Sequence, residues 1–248
     1  MTKKFYVPLL QEFKNLEILE LDSNCRHKGL KGLFNLYKDI KKLNPIGIVD
    51  LHGSLRTNIL RFFFFFTSIR YKKIHKGRIE KRLLTRKSNK VLVPLLPVIY
   101  RYGDVLRKIG FPVDLSDHKF PLKPITPKKF NDSFFNSKLK WIGIAPFAKH
   151  IGKIYPLDLT QKVISFLQRE NQVFLLGSDG DEKKKLGVWE KAYSNVHSLA
   201  GKYPFSDQLK IISNLDVMIS MDSANGHIAA NYDIPVITIW GVTHPYAG

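Results

Sequence analysis

Between residues 141 and 240, short apolar runs alternate with helix-like patterns, and no other feature limits the possible folds of this 248-residue chain so tightly. Strands are predicted at 141–145, 173–177, 217–221 and 236–240, and helices at 157–169, 181–193, 206–213 and from 224 onward. Such a repeat builds parallel sheet covered by helices on both faces. Ligands on these sheets bind beyond the carboxyl ends of the strands, so the segments leaving each strand are the first candidates for a site.

The N-terminal half carries the same signals less regularly. LEILELD at 16–22 reads as a strand, 32–43 as an amphipathic helix with Leu33, Leu36, Tyr37 and Ile40 on one face, and PIGIVDLHG at 45–53 as a buried strand running into a turn. Ser54 is suited to cap the helix that follows through Phe66, whose five consecutive phenylalanines read most simply as a helix packed on two sides. A further strand is expected at 68–74. The stretch 115–139 is rich in Pro, Lys and Ser without a clear period and reads as a linker between an α/β domain at 1–114 and a second at 140–248.

Charge separates the two halves. Residues 1–150 hold 31 Lys and Arg against 11 Asp and Glu, whereas residues 151–248 hold 9 against 10. The excess peaks at 70–90, where ten basic side chains meet one acid, Glu80. A solvated lysine-rich helix face is the plain explanation, and an anionic partner is the alternative. Neither zinc-ligand spacing nor an RNA-binding aromatic signature is present, so no nucleic acid is expected and an anionic membrane or lipid substrate is preferred. The single cysteine, Cys25, allows no internal disulfide and fits a reducing compartment. The most apolar run, 62–66, is far short of the roughly 20 residues of a membrane span, and MTKKFYVPLL lacks the character of a signal peptide, so a non-spanning cytoplasmic chain is expected.

Two segments that follow predicted strands are equipped for an anion. APFAKHIGKIYP, 145–156, brings Lys149, His150 and Lys153, then Pro156, which can open the next helix. SMDSANGHIAA, 220–230, breaks an apolar run at Asp222, passes Ser223, Ala224, Asn225 and Gly226, and reaches His227. Asp222 or Ser223 would cap the helix that starts there, and the small residues leave main-chain N–H groups uncovered at the positive end of its dipole. An ordinary cap does not need that succession of residues. Together the two loops suit a diphosphate.

The same residues carry a resemblance. MDSANGHIAANYDIPVITIWGVTHPYAG at 221–248 resembles the carboxyl-terminal signature of the lipopolysaccharide heptosyltransferases, glycosyltransferase family 9: D-[ST]-G-x-x-H, an apolar helix, a strand and a G-x-T-x-P loop. The agreement falls at Asp222, Ser223, His227, Gly241, Thr243 and Pro245. DLHGSLRT at 50–57 is similar to the family's D-L-Q-G-x-x-R-S element, and APFAKHIGKIYP to its P-G-A-x(n)-K-x-W-P loop. LAGKYPFSDQLKIISNLDVMISMDS is similar to its G-x-[ST]-x-x-E-L-x-x-L-I-x-x-A stretch, and the pieces run in the family's order over nearly the whole chain.

The resemblance implies an α/β fold of GT-B type, two Rossmann-like domains with parallel sheets facing across a cleft. The first βα unit and the closing C-terminal elements are expected to be missing. It implies an acceptor side at 1–114 and a donor side at 140–248. The implied reaction moves a heptose or related sugar from a nucleotide-sugar, ADP-linked, to a lipopolysaccharide core acceptor. It needs no metal and no cofactor, the nucleotide-sugar being a substrate. Lys149, Lys153, Asp222, Ser223, Ala224, Asn225, Gly226 and His227 would bind the donor, with Asp179, Asp181 or Glu182 reaching its ribose. Asp50, His52 and Arg56 would meet the acceptor. That acceptor is an anionic lipid-linked saccharide, so the enzyme would work on the cytoplasmic face of the inner membrane, in peripheral contact with anionic lipid, and the charge excess would lie on the acceptor side.

Three departures stand beside the agreement. Ala224 occupies a family glycine position, where a methyl is excluded if φ is positive. Gly226 replaces a larger residue and is expected to loosen the helix start. The family's R-x-S-x-x-G-D loop, whose Asp is its proposed base, has no counterpart before MTKKFYVPLL, so no catalytic residue is assigned. The alternatives are a catalytically impaired fragment or nucleotide-binding module, and a basic peripheral membrane or nucleic-acid-binding protein.

Overall fold

A short strand in this chain can bury side chains on both sides only inside a sheet flanked by helices. The computed structural model, which describes residues 1–124 and 139–247, contains two such sheets, all of whose pairings are parallel. Residues 125–138 of the predicted linker lie outside the described residues. The chain divides into two units: Met1–Val7, Asn15–His118 and Pro245–Gly248 form one, and Pro8–Lys14 and Lys119–His244 the other.

The first unit contains α1 (Gly29–Lys42), β1 (Gly47–Asp50), α2 (Leu55–Phe64), β2 (Arg70–Lys73), α3 (Arg78–Thr85) and α4 (Val98–Ile109). β1 and β2 pair in parallel from Gly47↔Arg70 to Asp50↔Lys73. Leu33 and Leu36 of α1 join Leu60 and Phe64 of α2 in one small core. α4 packs on the two strands, and Ile109 Cδ1 lies 2.6 Å from where a Cβ on Gly47 would sit, so the glycine admits that helix. Ser54 starts α2 as predicted: its Oγ accepts from Thr57 N at 3.3 Å while Thr57 Oγ1 accepts from Ser54 N at 2.8 Å.

Two expectations for this unit fail. Of the five phenylalanines only Phe64 is buried; Phe62, Phe65 and Phe66 are 63%, 76% and 78% exposed, because α2 meets α1 along one face and ends at Phe64. The segment 16–22 is not a strand: it makes one parallel bridge, Thr2↔Glu20, and has no longer partner to form a ladder with.

The second unit runs β3 (Lys140–Ala145), α5 (Leu157–Leu167), β4 (Asn171–Leu175), α6 (Asp181–Ala192), β5 (Val196–Ser198), α7 (Phe205–Ile212), β6 (Val217–Met221), α8 (Ala224–Asn231) and β7 (Val236–Ile239). Its sheet has the order β5-β4-β3-β6-β7. Ile142, Ile144, Val173 and Leu175 pack with Ile164 of α5 and Leu186 and Trp189 of α6 on one face. Trp141, Phe174 and Met218 pack with Leu209, Ile211 and Ile212 of α7 and Ile228 and Ala229 of α8 on the other. The chain thus winds outward from β3 in one direction, returns, and continues from β6 in the other. The switch point lies between β3 and β6, where the loops leaving the two strands part to opposite faces and leave a crevice for a ligand.

Among the described residues no helix is long and apolar enough to cross a membrane.

Candidate functional site

The two anion-suited loops leave β3 and β6, adjacent strands of the sheet, so the fold brings them together at its switch point. A short turn at Ile151–Lys153 follows β3, and Lys153 Nζ donates to Asp222 Oδ2 at 2.6 Å and to the Asp222 carbonyl at 3.4 Å. Both side chains are mostly buried, 21% and 19% exposed, so the pair is shielded rather than a solvated surface bridge. His227 Nε2 stands 3.9 Å from the other Asp222 oxygen and is itself 79% exposed. Burial pushes the Asp222 carboxyl up, but the Lys153 hydrogen bond, the Thr243 hydroxyl and the charges of Lys153 and His227 outweigh it and hold the group below its ordinary value. The buried Thr243 hydroxyl adds to that pull while falling short of a well-formed hydrogen bond.

The start of α8 differs from expectation in three ways. Ser223 is its N-cap residue, yet its side chain does not cap; Ser223 Oγ lies 3.0 Å from Ser220 Oγ, which donates to the Met221 carbonyl. Asp222 is likewise no cap, being held by Lys153. The first N–H groups of the helix, from Ala224, Asn225 and Gly226, are therefore left for another acceptor. Ala224 is not among the residues of positive φ, so its methyl is tolerated. Gly226 does not loosen the helix start: a Cβ there would sit 3.1 Å from Ser220 Oγ and 3.2 Å from its Cβ, so the glycine lets α8 close onto β6.

A third loop joins them, a feature that no single stretch of sequence announces. A Cβ on Gly241 would lie 2.3 Å from the Gly152 carbonyl oxygen, and Val242 N donates to that same oxygen at 3.1 Å. The G-x-T loop after β7 is thereby fastened to the Lys153 turn. Tyr155 N donates to Met221 Sδ at 3.3 Å, a second tie between the β3 and β6 loops. Lys149 and His150 are exposed on the same loop. Beside it, a cavity of about 400 Å³ is lined by Phe147, Ile154, Tyr155, Asp181 and Glu182. Two of the three ribose candidates thus border the loop, whereas Asp179 pairs with Lys183 at 3.4 Å.

In the first unit, Asp50 ends β1 and is buried. Its Oδ1 accepts from His52 N at 2.9 Å and Gly53 N at 2.8 Å and so shapes the loop, while Oδ2 is buried with no hydrogen-bond partner. Burial, followed by the Asp50 charge, raises the nearby Tyr71 phenol. His52 and Arg56 are exposed on that loop and on the first turn of α2. Close by, Asn58, Lys73, His75, Lys76 and Arg78 line a cavity of about 280 Å³. The basic run had marked these residues as a group, but only the return of β2 beside β1 turns a run into a pocket.

Among the described residues no group of three or more His, Cys, Asp or Glu side chains could hold a metal ion.

Comparison with known proteins bears on the family and the fold. The family model described as glycosyltransferase family 9 (heptosyltransferase) matches residues 47–247. The chain is 22% identical to the lipopolysaccharide core heptosyltransferase OpsX of Haemophilus influenzae over 247 residues, covering 96% of this chain and 68% of that protein. Among solved structures, a family 9 glycosyl transferase from Veillonella parvula superposes with a TM-score of 0.73 at 15% identity, over 99% of this chain and 73% of that one. The E. coli heptosyltransferase WaaC with ADP-2-deoxy-2-fluoro heptose gives 0.68 at 12% identity, over 98% and 79%. The fold is of the GT-B type that the sequence resemblance implied. With the family model spanning most of its length, the chain belongs to glycosyltransferase family 9, the heptosyltransferases.

Proposed function

We propose that this glycosyltransferase moves a heptose from an ADP-linked donor to an anionic lipopolysaccharide core acceptor, with the donor diphosphate seated at the switch point of the second unit. The observation that carries the reading is the meeting of Lys153, Asp222 and the uncapped first turn of α8. Transfer breaks the bond between the sugar's anomeric carbon and the diphosphate oxygen, the acceptor hydroxyl oxygen bonds to that carbon, and the hydroxyl proton is released to solvent. Negative charge builds on the departing diphosphate. The Lys153 ammonium and the N–H groups of Asn225 and Gly226 would stabilise it, with Lys149 and His227 at the exposed rim. Asp222 would hold Lys153 in position while the site is empty. Asp181 and Glu182 are the proposed ribose contacts.

The acceptor's phosphates and acidic sugars would fall to the basic pocket of the first unit, with His52 and Arg56 at its edge. Work on such an acceptor implies peripheral residence at the cytoplasmic face of the inner membrane. The heptosyl preference follows from the relatives, one of which was solved with an ADP-heptose analogue.

Thermal unfolding with ADP, ADP-heptose, UDP and GDP tests the donor site. A ligand at a hundredfold excess over its Kd stabilises by about 2.7 kcal/mol, which is a readily measured shift. The expected result is stabilisation by the ADP compounds that Lys153→Ala abolishes and His227→Ala weakens. A cooperative melt that no nucleotide moves would refute the donor site.

A further inference from the structure

Six aromatic rings run from the core of the first unit out into solvent. Phe34 stacks on Tyr37 at 5.8 Å and meets Phe63 edge-on at 5.6 Å; Phe63 contacts Phe62 at 6.4 Å, Phe62 contacts Phe66 at 5.9 Å, and Phe66 contacts Phe65 at 5.3 Å. Phe62, Phe65 and Phe66 at the outer end are each more than 60% exposed. Packing within this unit does not require them there. Phe64 already fills the core, and the polypeptide turns away after α2 with three phenyl rings uncovered.

Two lysines lie against the rings, and the sequence around them is predominantly basic. Lys38 Nζ lies 4.8 Å from the Phe34 ring centre and Lys41 Nζ 5.8 Å from that of Tyr37. Residues 28–70 hold eight Lys and Arg but only two acids, Asp39 and Asp50. Both acids are engaged, Asp39 with Arg26 at 2.8 Å and Asp50 buried against its own loop. An apolar tip within a basic collar is the pattern of a surface that inserts shallowly among lipid headgroups, the rings entering the acyl boundary and the lysines reaching the phosphates. A second copy would bring two collars of like charge together, which opposes self-association through this face.

We propose that Phe62, Phe65 and Phe66, with Lys38 and Lys41, form a docking tip for an anionic lipid bilayer. The proposal deepens the reading of a lipid-linked acceptor and rests on it for its biological purpose. It assigns membrane contact to the end of α2 rather than to the basic run at 70–90.

The test is co-sedimentation of the full chain with vesicles of phosphatidylcholine alone and of phosphatidylcholine mixed with phosphatidylglycerol. Binding is expected only to the anionic vesicles. The triple variant Phe62→Ser, Phe65→Ser, Phe66→Ser should bind at least about tenfold more weakly. Lys38→Glu with Lys41→Glu should also weaken binding, by about fivefold or more for each residue. Phe65→Trp should be quenched by brominated acyl chains in the same vesicles. A cooperatively melting triple variant that binds as well as the parent would overturn the proposal. So would an oligomer of the parent chain that the triple variant disperses, since a second copy would then cover the rings. The ADP-induced thermal shift is read on the same variants: its survival beside lost vesicle binding separates this surface from the donor site, and its absence in the parent chain indicts the donor reading alone.

Discussion

Lys153 Nζ touches Asp222 twice, at the carboxylate Oδ2 (2.6 Å) and at the main-chain carbonyl (3.4 Å), and this one ammonium ties the loop after β3 to the loop after β6. Lys153→Ala leaves the Asp222 carboxylate four-fifths buried without its cation, and the expected loss is about 1–3 kcal/mol of stability. Adding Asp222→Asn to that variant should recover much of the loss, because the uncompensated charge is then gone. Urea unfolding of the two single variants and the double variant measures the coupling. Strictly additive losses would mean that the pair contributes nothing as a pair.

Gly241→Ala is expected to be costly for its size. Its methyl would meet the Gly152 carbonyl oxygen at 2.3 Å, backbone against backbone, with no flexible side chain to yield. A loss of about 1–3 kcal/mol and a weakened ADP response should appear together. Gly187→Ala in α6, where a Cβ meets nothing within 4 Å, is the control and should be neutral or slightly stabilising.

The phenylalanine run should split cleanly in stability. Phe64→Ala empties the small core of the first unit and should cost about 3–5 kcal/mol, whereas Phe66→Ala, at 78% exposed, should change stability by less than about 0.5 kcal/mol. Equal losses at the two positions would show that the exposed rings are covered in solution.

Acid should weaken the first unit through Asp39. Hydrogen bonds from Arg26 and then His27 lower its carboxyl from 3.8 to about 2. A depressed carboxyl pKa contributes stability that is complete above the unfolded value and lost as pH falls toward the folded one, so the effect lies between about pH 4 and 2. His27 is buried and accepts from Asp22 N through Nδ1 at 3.1 Å, which leaves Nε2 to donate to Asp39 at 3.2 Å. Asp39→Asn should flatten the stability profile across that window; an unchanged slope would assign the acid sensitivity elsewhere.

Asp50→Ala should cost about 1–3 kcal/mol, since it strands the main-chain N–H groups of His52 and Gly53. Arg56→Ala, by contrast, should leave the melting curve in place and lower only transfer to the acceptor. Thermal melts paired with a transfer assay separate the two roles.

These residues also show where sequence reasoning stops. Four of the second unit's five strands were legible because each is an apolar run beside a helix pattern, which fits burial within a helix-covered sheet; β5, Val196–Ser198, was missed because VHS is too short and too polar to stand out. LEILELD at 16–22 has the same alternation, but whether it becomes a strand depends on a partner, and a single bridge to Thr2 is all it finds. Five adjacent phenylalanines carry no period, so nothing in the run tells which rings turn inward. At the site, residue types told that Lys153 and the 222–227 segment handle charge. They did not tell that Asp222 would spend its carboxylate on Lys153, or that Ser223 would turn to Ser220 rather than cap its helix. Those choices depend on which strand lies next to which, and local pattern does not encode strand order.

Gly152 and Gly241 meet main chain to main chain, with no side chain cushioning the contact. A joint of that kind leaves little room: a displacement of the Lys153 turn has to be taken up by the loop that carries Gly241 and Thr243. A ligand that moved the lysine would therefore press on the loop after β7 as well, at the edge strand of the sheet.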